Sequence, residues 1–171
     1  MMFLRRSGWL AGVCVFCCVF FCGCARSSLP VALGETYTCT VTVVSGDAHW
    51  KGDVKKDGAG TFSVKVTAPE TMRGLEVFRN GEQMTLQFQG ITQELPEASV
   101  EDSDFSRLFR TLHTLSQPDQ LHQNDRKGQN FSYDGGLGRF EVKVGEDGTE
   151  KEISYTDREF TVFLENYQGT S

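Results

Sequence analysis

The side chains best equipped for chemistry in this chain are its cysteines, its histidines and a few clusters of carboxylates and glycines. The six cysteines are Cys14, Cys17, Cys18, Cys22, Cys24 and Cys39, and five of them fall within the first 24 residues. That distribution is wrong for a disulfide framework, which spreads its cysteines through the domain it staples. It is equally wrong for a metal site. None of His49, His113 and His122 stands at a metal-ligand spacing from a Cys, Asp or Glu. The acidic run Glu101-Asp102-Ser103-Asp104 offers too few oxygen ligands at set intervals for a calcium loop. Gly135, Gly136 and Gly138 in "YDGGLGRF" do not spell a phosphate-binding fingerprint, and a strand pattern follows them where a helix N-terminus would be needed. Carboxylates are plentiful, but nothing singles out two for acid–base work. The expectation is a protein with no catalytic residues, no metal and no cofactor.

One cysteine remains to be explained. Cys24 closes the stretch "MMFLRRSGWLAGVCVFCCVFFCGC". Arg5 and Arg6 form a positive start, and Trp9 to Phe21 is an uncharged run of 13 residues. Such a run fits the roughly 7–15 residues of a signal peptide's apolar region and falls short of the about 18–20 that span a bilayer as a helix. The segment "FCGC" at Phe21–Cys24 resembles a bacterial lipobox. A thiol that receives diacylglycerol must be preceded by a residue small enough for the signal peptidase, and Gly23 meets that demand. Cys14, Cys18 and Cys22 follow Val13, Cys17 and Phe21 and do not. Phe21 departs from the usual Leu of the pattern. The competing readings are an uncleaved anchor and a plainly secreted protein. The expected organisation is a signal peptide over 1–23, lipidated Cys24 with a short polar tether over 24–34, and one folded domain over 35–171. Two acyl chains, at about 0.8 kcal/mol per buried methylene, anchor durably where one is marginal. The expected address is the outer face of a bacterial cell membrane.

The rest of the chain reads as strands. "TYTCTVTVV" alternates Tyr37, Cys39, Val41 and Val43 against Thr38, Thr40 and Thr42, the period of a half-buried strand. Cys39 is thereby assigned to the core as a free thiol. "AHWKGDVKK" and "TFSVKVT" continue the sheet, and "ETMRG" after Pro69 reads as a helical turn. In "LEVFRNGEQMTLQFQ", Asn80-Gly81 is the dipeptide favoured in type I′ hairpins, and "GITQELP" adds a short strand. The period then changes. Phe105, Leu108, Phe109, Leu112 and Leu115 fall at helical spacing, with Ser103 as N-cap and Pro118 beyond the end. "PDQLHQNDRKG" reads as a polar connection. Strands resume with "QNFSYD", "GRFEVKV", "EKEISY" and "REFTVFLENY", with Gly148 supplying the turn before the third of these. About nine strands and one substantial helix are expected. Strands in series with short turns pair antiparallel, and a one-sided sheet needs a lid, which the helix supplies.

The segment "TFSVKVTAPETMRGLEVFRNGEQMTLQFQGITQELP" resembles the Lol-type lipoprotein-carrier fold. The shared features are an extended segment ending in Ala68-Pro69, the "ETMRGL" corner, a hairpin around Asn80-Gly81 and a helix after Pro96. The pattern spans roughly residues 35 to 167 and carries no catalytic motif. It is similar to small lipidated versions of clostridial and related Gram-positive bacteria, one of which acts in spore germination. The resemblance implies an α+β fold: a curved antiparallel half-barrel sheet with one main helix packed on its concave face. It also implies either a cavity for acyl chains or a surface that docks another envelope protein. Diffusible carriers have a longer amphipathic helix before their first strand, and this chain lacks the room for one after Cys24. A tethered role therefore fits better than shuttling.

Two functions stay open at this level. One is a membrane-anchored, non-enzymatic lipoprotein that binds a hydrophobic ligand or a lipidated protein. Its pocket would be lined by Met84, Leu86, Phe88, Phe105, Phe109 and Leu112. The other is a module with a filled core that docks a cell-envelope or spore-germination enzyme by its surface. Nucleic acid is excluded as a partner. After Gly23 the chain carries 15 basic and 23 acidic residues, a net of −8, and phosphate backbones require clustered Lys and Arg.

Overall fold

A computed structural model describes residues 31–169, other than 59, 118, 120, 128, 136, 137 and 147; for residues 97, 122, 124–127 and 135 it describes the backbone alone. The signal segment, Cys24, Pro118 and Gly136 lie outside the described residues. Among the described residues, no helix is long and apolar enough to cross a membrane.

Eleven strands and one α-helix make up the described chain. The first six strands are β1 (Tyr37–Ser45), β2 (Ala48–Asp57), β3 (Thr61–Ala68), β4 (Glu76–Asn80), β5 (Gln83–Phe88) and β6 (Ile91–Pro96). The helix α1 (Asp104–Leu115) follows. The chain returns as β7 (His122–Lys127), β8 (Asn130–Gly135), β9 (Gly138–Val144), β10 (Lys151–Tyr155) and β11 (Phe160–Gly169). All belong to one antiparallel sheet in the order β6-β5-β4-β3-β2-β1-β11-β10-β9-β8-β7. The first and last strands thus pair at its centre, from Tyr37↔Gly169 to Ser45↔Phe160. The two edges, β6 and β7, do not meet, so the sheet is a half-barrel and not a closed one. The α+β half-barrel with one lid helix is the architecture implied by the sequence.

Alternation decides which side chains face the helix. Tyr37, Cys39, Val41 and Val43 of β1, Phe62, Val64 and Val66 of β3, and Phe160, Val162 and Leu164 of β11 are all buried. Their neighbours Thr38, Thr40, Ser63 and Lys65 face the other way. On the distal half of the sheet the inner face is an aromatic ladder. Phe131, Tyr133, Phe140, Tyr155 and Phe160 follow one another with ring centroids 5.6–6.4 Å apart. Offset aromatic pairs at such distances add about 0.5–1.5 kcal/mol each beyond the area they bury.

The helix lies against this face as the lid. Ser103 caps it, its Oγ accepting the Ser106 N–H at 3.2 Å. The acids at the start of the helix are paired with arginines of the helix: Arg110 with Glu101 at 3.0 Å, and Arg107 with Asp104 at 3.8 Å. One flank of α1 meets β2 and β3, with Phe105 on Trp50 (4.8 Å between ring centroids) and Phe109 on Phe62 (5.5 Å). The other flank reaches β10, where the Thr111 and Tyr155 hydroxyls share a 2.8 Å hydrogen bond. A helix about 10 Å wide touching strands on both flanks requires the sheet to curl around it. Gly52 permits part of that curl. It sits at a register shift between β2 and β3, and a Cβ there would meet the Lys65 carbonyl oxygen at 2.9 Å.

Three sequence expectations need correction. First, the polar connection 118–128 contains β7, which pairs with β8 from His122↔Asp134 to Lys127↔Asn130. Its residues, "HQNDRK", are all polar and show no apolar alternation. Second, the strand count is eleven, not about nine. Third, Asn80-Gly81 is not the turn. Asn80 is the last residue of β4, paired with Gln83, and the two-residue loop is Gly81-Glu82. Only Gly81 has positive φ there (60°), the dihedral pattern of a type II′ turn. Both-positive φ, as in type I′, occurs instead at Gln89 (50°) and Gly90 (81°) between β5 and β6. The expected tether over 24–34 is described only from Val31 on. Val31 and Leu33 are core residues, 0% and 4% exposed, and the Leu33 N–H donates to the Leu115 carbonyl at 2.9 Å, satisfying one of the helix's terminal acceptors.

Two predictions follow from this core. Leu112, 0% exposed beneath the helix, should lose about 2–5 kcal/mol of stability on mutation to Ala. Ile91, 73% exposed on edge strand β6, should change by less than about 0.5 kcal/mol. Denaturant midpoints of the two variants measure the contrast, and equal losses would mean that the helix does not seal a core. Cys39 gives the second. Burial, helped by the nearby Asp53 carboxylate, pushes its thiol from 9.0 up to about 12. A raised acid contributes stability that is complete below the unfolded value and lost as pH rises towards the folded one. Wild type should therefore lose stability between about pH 9 and 12, and Cys39→Ala should lose less over that window. Tyr37 and Tyr155, both raised mainly by burial, leave a residual slope in the variant. Identical slopes in the two proteins would contradict the assignment.

Candidate functional site

The six residues expected to line a lipid pocket divide into two groups. Met84, Phe109 and Leu112 are 0–1% exposed, and Leu86 and Phe105 pack partly buried against the same cluster. The fold brings these five together. Phe88, at the end of β5 beside the Gln89-Gly90 turn, is half-buried and stands outside the cluster. Between helix and sheet the space is filled from both sides. Leu108, Phe109, Leu112 and Leu115 from above, and Val41, Val43, Phe62 and Val162 from below, are each 0% exposed. A side chain lining a void wide enough for an acyl chain would keep surface accessible to a water-sized probe, and these keep none. Two of the histidines, His49 and His113, have described side chains. His113 Nε2 lies 2.9 Å from Gln117 Nε2, and its ring meets Phe62 edge-on, while His49 is exposed. Among the described residues, no group of three or more His, Cys, Asp or Glu side chains is placed to hold a metal ion.

A concavity lies on the opposite face. A trough of about 460 Å³ crosses the outer side of β11, β1, β2, β3 and β4, within the roughly 300–1,000 Å³ of small-ligand sites. Strand register builds it in two rows. In the first, Thr40 stands opposite Asp53, Asp53 opposite Lys65, and Lys65 opposite Glu76. In the second, Gln168, Thr38, Lys55, Ser63 and Phe78 follow in the same manner. The rows are internally bonded. Thr40 Oγ1 donates to Asp53 Oδ1 at 3.1 Å, and Lys65 Nζ donates to Glu76 Oε1 at 2.8 Å. That last bond holds the Lys65 ammonium above its usual pKa. Lys55 pairs with Asp57 at 3.1 Å. Two acids and two lysines among the lining residues leave the trough without net charge.

One irregularity furnishes its β11 end. Thr38 pairs with Gln168 but Thr40 pairs with Glu165, so β11 carries one residue more than β1 over this interval. Asn166 takes the left-handed conformation (φ 53°) that Asn tolerates better than most residues. The bulge shifts the alternation by one. Tyr167 turns inward, stacking on Tyr37 at 5.4 Å and accepting the Gly34 N–H at 2.8 Å. Asn166 and Gln168 turn outward into the trough. Sequence reasoning missed this face. Its members were visible as the polar half of each alternating strand, but that pattern marks an ordinary solvated surface equally well.

No family model matches the chain, and no curated protein matches it. Solved structures do show likeness. A LolA superfamily protein from Nitrosomonas europaea aligns with 81% of this chain and 87% of its own at 11% identity, with a TM-score of 0.42. LprF from Mycobacterium bovis aligns with 80% of this chain and 87% of its own at 13% identity and a TM-score of 0.38. A chain from the structure of the CwlD amidase from Clostridioides difficile in complex with the GerS lipoprotein aligns over 99% of this chain and 100% of its own, at 13% identity and a TM-score of 0.45.

Proposed function

We propose that this protein is a lipid-anchored, non-enzymatic docking and binding module on the outer face of a bacterial cell membrane. The observation that carries this reading is the filled space beneath α1. Phe109 and Leu112, the residues best placed to line an acyl cavity, are sealed at 0% exposure. Opening that space would sacrifice core burial worth about 1.5–3 kcal/mol for each large side chain. A carrier must open and close such a cavity at little cost. The recognition surface is therefore the outside of the half-barrel, and the lid helix is a structural element.

The anchor follows from the signal segment and from Cys24 after Gly23. Six residues separate Cys24 from Val31, which is already core. At about 3.3–3.6 Å per residue this leash reaches little more than about 25 Å. The domain would be held close to the bilayer by the end of the sheet that carries the start of β1, and it would act on what lies at the membrane surface.

Mass spectrometry of protein extracted from membranes of its producing cells tests both halves together. Under denaturing conditions the chain should begin at Cys24 and carry a covalent diacylglycerol adduct, lost in Cys24→Ala. Under native conditions the same protein should hold no further lipid. An unmodified N-terminus would overturn the anchor. A second, noncovalently held acyl ligand would overturn the docking reading in favour of a hydrophobic-ligand carrier.

A further inference from the structure

We infer that the outer trough is a binding site for a short, neutral oligosaccharide. It depends on strand register and on the β11 bulge, not on lipidation of Cys24, so it stands or falls independently of the anchor.

Three features of the trough select the ligand class. The first is charge. Asp53 and Glu76 share these walls with Lys55 and Lys65, and both lysines are committed, Lys65 to Glu76 at 2.8 Å and Lys55 to Asp57 at 3.1 Å. A phosphorylated or polyanionic ligand would find no unopposed cationic patch. The second is the position of the trough within the sheet. It lies across β11, β1, β2, β3 and β4, all interior strands whose backbone groups are used in the ladder. An extended peptide binds a sheet by adding a strand at an edge, and no edge is present here. Recognition must come from side chains alone.

The third feature is the donor and acceptor inventory. Thr38 and Ser63 offer hydroxyls that both donate and accept, and Asn166 and Gln168 offer amides with two donors and an acceptor each. Such groups suit a ligand with closely spaced hydroxyls and amides of its own. At the far end Phe78 is half-buried, leaving part of its ring as a platform for the C–H face of a sugar, where the π-cloud is negative. An acyl chain would leave the polar groups unpaired, which is unfavourable. Five strands at about 4.8 Å spacing give the trough a length of about 19 Å, enough for a few sugar rings in extended form.

The test uses the full-length processed protein in detergent micelles, ¹⁵N-labelled and titrated with an N-acetylglucosamine tetramer. The expected result is saturable shifts at the amides of Thr38, Ser63, Phe78 and Asn166. Phe78→Ala and the exposed-site variant Gln168→Ala should each weaken binding, by about tenfold for Phe78→Ala, with the remaining spectrum unchanged. Three results would overturn the proposal. One is no shift at millimolar sugar. Another is shifts that map elsewhere or persist unaltered in both variants. The third is tighter binding of a sulfated oligosaccharide than of the neutral tetramer. Gln168→Ala, at an exposed position, keeps the test decisive if Phe78→Ala folds poorly.

Discussion

The rest of the structure depends on the cover that a single short helix must give to one very wide sheet. Eleven strands at about 4.8 Å spacing would span about 48 Å if flat. The helix has 12 residues and is therefore about 18 Å long. It cannot roof a flat sheet whose inner face carries Val, Phe, Tyr and Leu on nearly every strand. The sheet answers by curling until α1 touches β2 and β3 on one flank and β10 on the other. Outward from the helix's contact with Tyr155, aromatic side chains cover one another along Phe131, Tyr133, Phe140, Tyr155 and Phe160. Pairing β1 with β11 closes the arrangement by placing the two chain ends in the middle of the sheet.

This constraint also decides where recognition can occur. Filling the inside removes the space that a hydrophobic ligand would need. The outer face stays polar, and the bulge at Asn166 gives one end of it two amide side chains that regular alternation would have turned inward. The same bulge turns Tyr167 inward, where its hydroxyl holds Gly34. The segment before β1 is thus tied to the strand that borders the trough. One extra residue in β11 links that segment, the core and the outer surface.

Much of the fold was legible in the sequence. β1, β3 and β9 announce themselves by strict alternation, and α1 by its apolar stripe and its Ser103 cap. The half-barrel came from the resemblance of the 61–96 segment, with helix and strand order agreeing. What was illegible had physical reasons. β7 is polar throughout its sequence, so no apolar alternation could reveal it. The Asn80-Gly81 dipeptide carries a strong turn preference, but register placed the turn one residue later, where Gly81 alone supplies the positive φ. Val31 and Leu33 were assigned to the segment before the domain because the apolar run from Leu29 to Leu33 is too short to show a period. The trough was hidden most completely. Its charged and hydroxylated residues are what any solvated strand face contains, and only strand register and a bulge bring them together.

The account rests on a solid core between α1 and the sheet. Diffraction from crystals of this protein pressurised with xenon tests that most directly, because xenon occupies dry apolar voids that density maps leave featureless. The account predicts no xenon site among Phe62, Phe109, Leu112 and Val162. An ordered xenon atom bound there would contradict it and would reopen the inside of the half-barrel as a ligand cavity.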